Sequence, residues 1–244
     1  MVRPTPRPRR ARDRRDRRTG GAGDGPLHLG HGLGAPALVE ATLGIPFDRP
    51  IARLREFLTV LRSLFETGTA EVRGEVLTAV ASAPVTLAGA ERPVPILVAA
   101  MGPQALKVTG EPADGTPPFL AGPRALGEHI VPAITTAAER AGRPAPRIVA
   151  AVPAVVTDRV EEVRETAAEQ AAFSDTIPSY QRAIAPSGAS RAADLVTVGD
   201  EKALEATVRS YLDAGATEVI LTRTDLAGED DRRRTWQALG ALDS

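Results

Sequence analysis

The 244-residue chain contains three histidines and no cysteine, so few of its side chains can do acid–base, nucleophilic or metal chemistry. The absence of cysteine excludes a thiolate nucleophile, a cysteine-ligated metal and a disulfide framework together. His28 and His31 stand three apart in a segment that reads as a strand, where alternation points them to opposite faces. They are therefore no metal pair, and His31 is read as a strained core substitution in preference to a ligand contact. His129 lies within an expected helix, next to Ile130, and is read as structural. The adjacent carboxylates Glu161 and Glu162, and Asp230 and Asp231, fall in polar runs and read as solvated surface. No Ser-His-Asp order, metal-ligand spacing or phosphate-binding P-loop is present. No catalytic residue and no metal site is assigned.

The most informative stretch is VPILVAAMGPQALKVTGEPADGT, residues 94–116. An apolar run ends in the small residues Ala99 and Ala100, passes Met101, turns at Gly102 and enters a helix with Pro103 at its first position, where the missing N–H costs nothing. Small residues let a ligand approach the backbone, and free N–H groups at a helix start favour an anion such as phosphate. A plain strand-to-helix turn has the same appearance, and both readings stand at this point. A second glycine-rich turn, LHLGHGLG, places Gly30, Gly32 and Gly34 after a short strand.

Elements that would position these turns alternate along the chain. Strands are expected at 27–33, 94–100, 116–121, 147–156 and 217–222, with helices between them, which argues for an α/β architecture on a parallel sheet. Ile51, Leu54, Phe57, Leu58, Leu61, Leu64 and Phe65 recur at helical spacing, with Asp48 as the expected cap and Pro50 in the first turn. Residues 67–93 read as irregular. Pro132 interrupts a helix that Gly142 closes, and a helical turn is expected near residues 180–184. Asp200 caps a helix whose apolar face is Leu204, Val208 and Leu212, with Gly215 just past its end. Pro117 and Pro118 fall inside an expected strand, where each removes a ladder donor.

Composition sets the outer bounds. Hydrophobic residues at 43% and charged residues at 25% suit a globular protein, while aromatics at 3% leave the core to Ala, Val, Leu and Ile. No apolar run approaches the ~18 residues of a membrane helix, and a cytoplasmic protein is expected. Residues 1–25 hold nine Arg against three Asp, a surplus of six; with the whole chain at −1, the remainder carries −7. That acidic body has no basic face for nucleic acid, so none is expected as a partner.

The segments PILVAAMGPQALKVTGEPADG, LHLGHGLG, FDRPIARLREFLTVLRSL and GPRALGEHIVPAITTAAERAGRPAPRIVAAVPAVVTD resemble, in order, segments of the luciferase-like monooxygenases, in the branch that uses the deazaflavin coenzyme F420. The resemblance covers residues 27 to about 225. It implies a TIM-type (β/α)8 barrel with its site at the C-terminal ends of the strands, here incomplete, with about five of eight strands present and the first three absent. It further implies that Ala99, Ala100, Met101, Gly102 and Pro103 line the phosphate-bearing tail of the cofactor, and that Gly30, Gly32 and Gly34 lie near its ring or ribityl chain. Asp114 and Gly115 are read as a cap and turn. The chain is thus expected to comprise a disordered Arg/Pro/Gly-rich tail, 1–26, and a partial barrel, 27–244. The activity implied is hydride transfer between F420 and a small organic substrate. The alternatives are an FMN-dependent monooxygenase of the same family and a non-functional barrel fragment that self-associates, as a homo-oligomer, through open sheet edges. The tail is read as GC-rich coding out of frame, or a misplaced start, standing where barrel strands belong.

Overall fold

The computed structural model describes residues 29–81, 83–84 and 94–242. The Arg-rich tail 1–26 and His28 lie outside the described residues. The elements run β1 (Leu29–Gly32), α1 (Pro36–Leu43), α2 (Pro50–Thr67), β2 (Glu71–Arg73), β3 (Thr78–Val80), β4 (Ile96–Ala99), α3 (Pro103–Gly110), β5 (Gly115–Thr116), α4 (Pro123–Ala125), α5 (Val131–Arg140) and β6 (Arg147–Val156). They continue with α6 (Val160–Asp175), α7 (Pro178–Ile184), β7 (Thr197–Gly199), α8 (Glu201–Asp213), β8 (Glu218–Thr222) and α9 (Glu229–Leu242).

One parallel sheet organises the chain. β1 pairs with β4, β4 with β5, and β5 with β6. The ten-residue β6 then carries β8 along Val149–Pro153 and β7 along Ala154–Val156. Among the described residues no pairing joins β8 to β1, so the sheet is an arc of a barrel and not a closed one. This is the expected five-strand arc, extended by the short β7.

Register assigns the two faces, because side chains of paired residues point the same way while neighbours along a strand alternate. One face carries Ile96 and Val98 of β4 with Ile148, Ala150 and Val152 of β6, each nearly or fully buried. They pack on Leu54 and Leu58 of α2, Leu106 of α3, Ile134 of α5 and Leu204, Val208 and Tyr211 of α8. Each fully buried Leu or Ile is worth about 2 kcal/mol of removed apolar surface, so this face holds the fold together. Opposite it lie Gly30 and Gly32 of β1, Leu97 and Ala99 of β4, Ala151 and Pro153 of β6, and Ile220 of β8. That is the side a closed barrel would enclose.

Several local expectations are corrected. β5 is only Gly115–Thr116, not 116–121, because Pro117 and Pro118 have no N–H with which to continue the ladder. A three-residue hairpin, β2–β3, stands within the stretch read as irregular, held by Glu56 of α2, whose carboxylate accepts the N–H groups of Glu75, Val76 and Leu77. α2 starts after Arg49, in a left-handed conformation, and Asp48 accepts from Arg53 at 3.1 Å without capping the helix. On α8 the buried face is Leu204, Val208 and Tyr211, and Leu212 is exposed. Asp200 does cap that helix, accepting from the Ala203 N–H at 2.9 Å, and Gly215 takes the positive φ expected after it. Asp231 is no solvated surface group: its side chain is largely covered and accepts from Thr157 Oγ1 and Arg159.

Candidate cofactor cleft

Both glycine-rich turns emerge at the C-terminal ends of neighbouring strands. The β1 turn passes through Gly34 at φ +73, where a Cβ would also meet Val39 Cγ2 at 2.8 Å, so only glycine fits. The β4 turn passes through Gly102 in an extended conformation, and a Cβ there would meet nothing within 4 Å. α3 starts at Pro103 with no side-chain cap, and the N–H groups of Gln104 and Ala105 have no acceptor among the described residues. Such orphan donors make the first turn of a helix a seat for negative charge.

Asp114 sets this wall in place. Its Oδ2 accepts the Ile96 N–H of β4 at 2.7 Å and Arg62 of α2 at 2.9 Å, and its Oδ1 accepts Arg143 at 2.7 Å. The reading of Asp114 as structural therefore fits, with a role wider than capping a turn. Thr116, fully buried, accepts the Ala100 N–H at 3.4 Å and ties β4 to β5 beside the turn.

The two turns open onto a cleft of about 1660 Å³. It is lined by Gly32, Gly34, Ala99, Ala100, Met101, Gly102 and Pro103, so seven of the eight residues singled out in the sequence meet there. Gly30 does not line it: it lies two residues earlier on β1, about 6.6 Å below the strand end. The remaining wall comes from α3, from α5 with the turn before it, and from α7. That turn, Leu126–Ile130, is π-helical. Pro132 follows it and lacks the N–H that would bond Glu128, so the ladder slips by one residue.

The histidines separate here. His31 points to the helix-covered face and stacks on Phe57 of α2, ring centres 4.6 Å apart, and burial lowers its pKa. This agrees with the core reading. His129 departs from it: the side chain is 56% exposed, lines the cleft, and its Nε2 is 4.0 Å from Glu128.

The α7 wall was not legible in the sequence beyond the helical turn itself. Tyr180 meets Phe119 edge-on at 5.5 Å, Ser187 Oγ accepts the Gly122 N–H at 2.7 Å, and Arg124 Nε donates to the Pro186 carbonyl at 2.8 Å. These contacts hold α7 over the cleft and bring Ser179, Tyr180 and Arg182 to its lining. Ser179 Oγ is buried without a hydrogen-bond partner among the described residues, an arrangement that costs about 1–3 kcal/mol unless a ligand supplies one. A second, smaller cavity of about 150 Å³ lies beyond, lined by Leu120, Tyr211 and Arg223. Leu120 and Arg223 are both held at positive φ, 54° and 55°. Burial pushes the Tyr211 phenol up to about 12, and its OH donates to the Ala121 carbonyl.

Among the described residues no cluster of three or more acidic or histidine side chains is placed to hold a metal, and no helix is long and apolar enough to cross a membrane. The model of the luciferase-like monooxygenase family matches residues 22–230. Solved structures share the fold. Coenzyme F420-dependent tetrahydromethanopterin reductase from Methanopyrus kandleri superposes with a TM-score of 0.64 at 20% identity, covering 87% of this chain and 72% of that one. An F420-dependent secondary alcohol dehydrogenase superposes at 0.64 and 17% identity, covering 80% and 63%. EDTA monooxygenase from Chelativorans sp. superposes at 0.61 and 16% identity, covering 86% and 64%. The chain spans less than two thirds of the length of the last two.

Proposed function

The chain belongs to the luciferase-like monooxygenase family, and from that premise we propose that it is an oxidoreductase moving a hydride between coenzyme F420 and a small organic substrate. The observation that carries the reading is the bare wall at the ends of β1 and β4. Gly32, Gly34, Ala99, Ala100 and Gly102 project nothing beyond a Cβ, and Gln104 and Ala105 present free N–H groups beside them. A flat ring needs such a wall to approach the backbone, and a phosphate needs those donors.

When bound, the deazaflavin would supply the carbon that gives or accepts the hydride. The chain's own part is to bind and orient. Met101, Gly102 and Pro103 fix the start of α3, where the Gln104 and Ala105 N–H groups would hold the phosphate. Ile51, Phe119 and Ile130 line the cleft with apolar surface that would keep water from the ring. The F420-dependent reductase and alcohol dehydrogenase among the structural neighbours support this reading at the level of fold. The monooxygenase neighbour supports FMN as the alternative in the same cleft.

Equilibrium titration of the purified chain with F420 and with FMN, followed by chromophore fluorescence, tests the proposal. Binding of F420 with little binding of FMN is expected. Binding of FMN alone would move the assignment to a monooxygenase, and binding of neither would overturn both.

A further inference from the structure

The cleft contains charges that the cofactor's phosphate seat leaves unused. Lys107 of α3, Arg140 of α5 and Arg182 of α7 all line it, and none of the three has an ion pair among the described residues. Most of the other described arginines do have one. Of the acidic residues lining the cleft, Glu111 is engaged by Arg55 at 3.9 Å and Glu128 lies 4.0 Å from His129 Nε2. Ser179 and Arg182 are three residues apart on α7 and so share one face of that helix. Ser179 adds the buried hydroxyl that no group among the described residues satisfies. A hydroxyl lacking a partner on the same helix face as a guanidinium lacking a counter-ion suits an oxyanion, which accepts from both.

We propose that α7 carries a second anion-recognising station, formed by Ser179 Oγ and Arg182 with Lys107 on the same cleft, that receives a carboxylate or phosphate group of the bound ligand. It is distinct from the N-terminus of α3 and rests on the cleft reading above. Two sources share this chemistry: the acidic tail of the cofactor, and an acidic substrate.

The test uses the full chain and three probes: F420, the same deazaflavin chromophore without its phosphate and glutamate tail, and a short oligoglutamate peptide. Each is titrated against the wild type, Ser179→Ala and Arg182→Gln, with the surface variant Arg164→Gln as control. The unfolding midpoint of Ser179→Ala is expected to equal or exceed that of the wild type, because no existing hydrogen bond is lost. Losing one bond to a charged group is worth about tenfold in affinity. If the tail occupies the station, both variants weaken F420 about tenfold and leave the tailless chromophore within about twofold. If an acidic substrate occupies it, both chromophores are unaffected and peptide binding falls about tenfold. All three probes unchanged in both variants would overturn the station, and with chromophore binding intact the cofactor assignment would survive. Peptide binding that depends on Ser179 and Arg182, in a chain that binds neither chromophore, would keep the station and overturn the cofactor assignment.

Discussion

The two walls of the cleft are built by opposite means. The β4–α3 wall is made of backbone: small residues, a glycine whose missing side chain leaves open space, and two unclaimed N–H groups. The α7 wall is made of side chains delivered from a distance, through Ser187 to Gly122, 65 residues earlier, and through Arg124 to Pro186, 62 residues later. The first wall is local in sequence and joins the core through Leu106. The second depends on long-range contacts, one part-buried and one exposed. The difference teaches that one side of this site is set by the backbone of a single strand-to-helix turn and the other by the docking of a separate helix.

Substitutions that strike each wall separately can break or sharpen that contrast. The largest loss is expected from Gly110→Val, because a Cβ at Gly110 already meets Ala137 Cβ at 2.7 Å and the Ile134 carbonyl at 2.7 Å. Forcing α3 and α5 apart there should cost about 3 kcal/mol or more, measurable as a fall in the denaturant midpoint. Asp114→Ala comes next: it strips the Ile96 N–H, Arg62 and Arg143 of their shared acceptor. A loss of about 2–3 kcal/mol is expected, discounted for partial exposure. Ser187→Ala releases only the Gly122 N–H and should cost about 1 kcal/mol, with protease cleavage near α7 rising while the α3 region stays protected. If Ser187→Ala were as damaging as Asp114→Ala, the distinction between the two walls would fail.

How much of this was legible in the sequence follows the same division. The strand-to-helix turn at Ala99–Pro103 was legible because small residues, glycine and proline state their conformation locally. The parallel sheet was legible from apolar runs without alternation. β2–β3 was not, since three-residue strands carry too little period and the partner that holds them, Glu56, lies on a preceding helix. Neither was the exposure of His129, which lies beside the buried Ile130 in a π-helical turn that local spacing does not announce. The orphan hydroxyl of Ser179 has no sequence signal at all. It exists only once α7 is docked.

The smallest expected effect concerns pH. Burial against Phe57 lowers the pKa of His31, so its neutral form is favoured in the folded state. The contribution is fully present above the unfolded value of about 6.5 and is lost as the pH falls toward the lower folded pKa. His31→Phe should remove that part of the acid sensitivity in unfolding midpoints measured between about pH 7 and pH 5.

The most direct test of the cleft as a cofactor site is titration of F420 against Gly102→Leu. A Cβ at Gly102 meets no protein atom within 4 Å, and Gly102 itself lines the cleft. The expected result is an affinity loss of about 100-fold or more, equivalent to about 2.7 kcal/mol, with the unfolding midpoint unchanged. Retention of wild-type affinity in a folded Gly102→Leu protein would contradict the account.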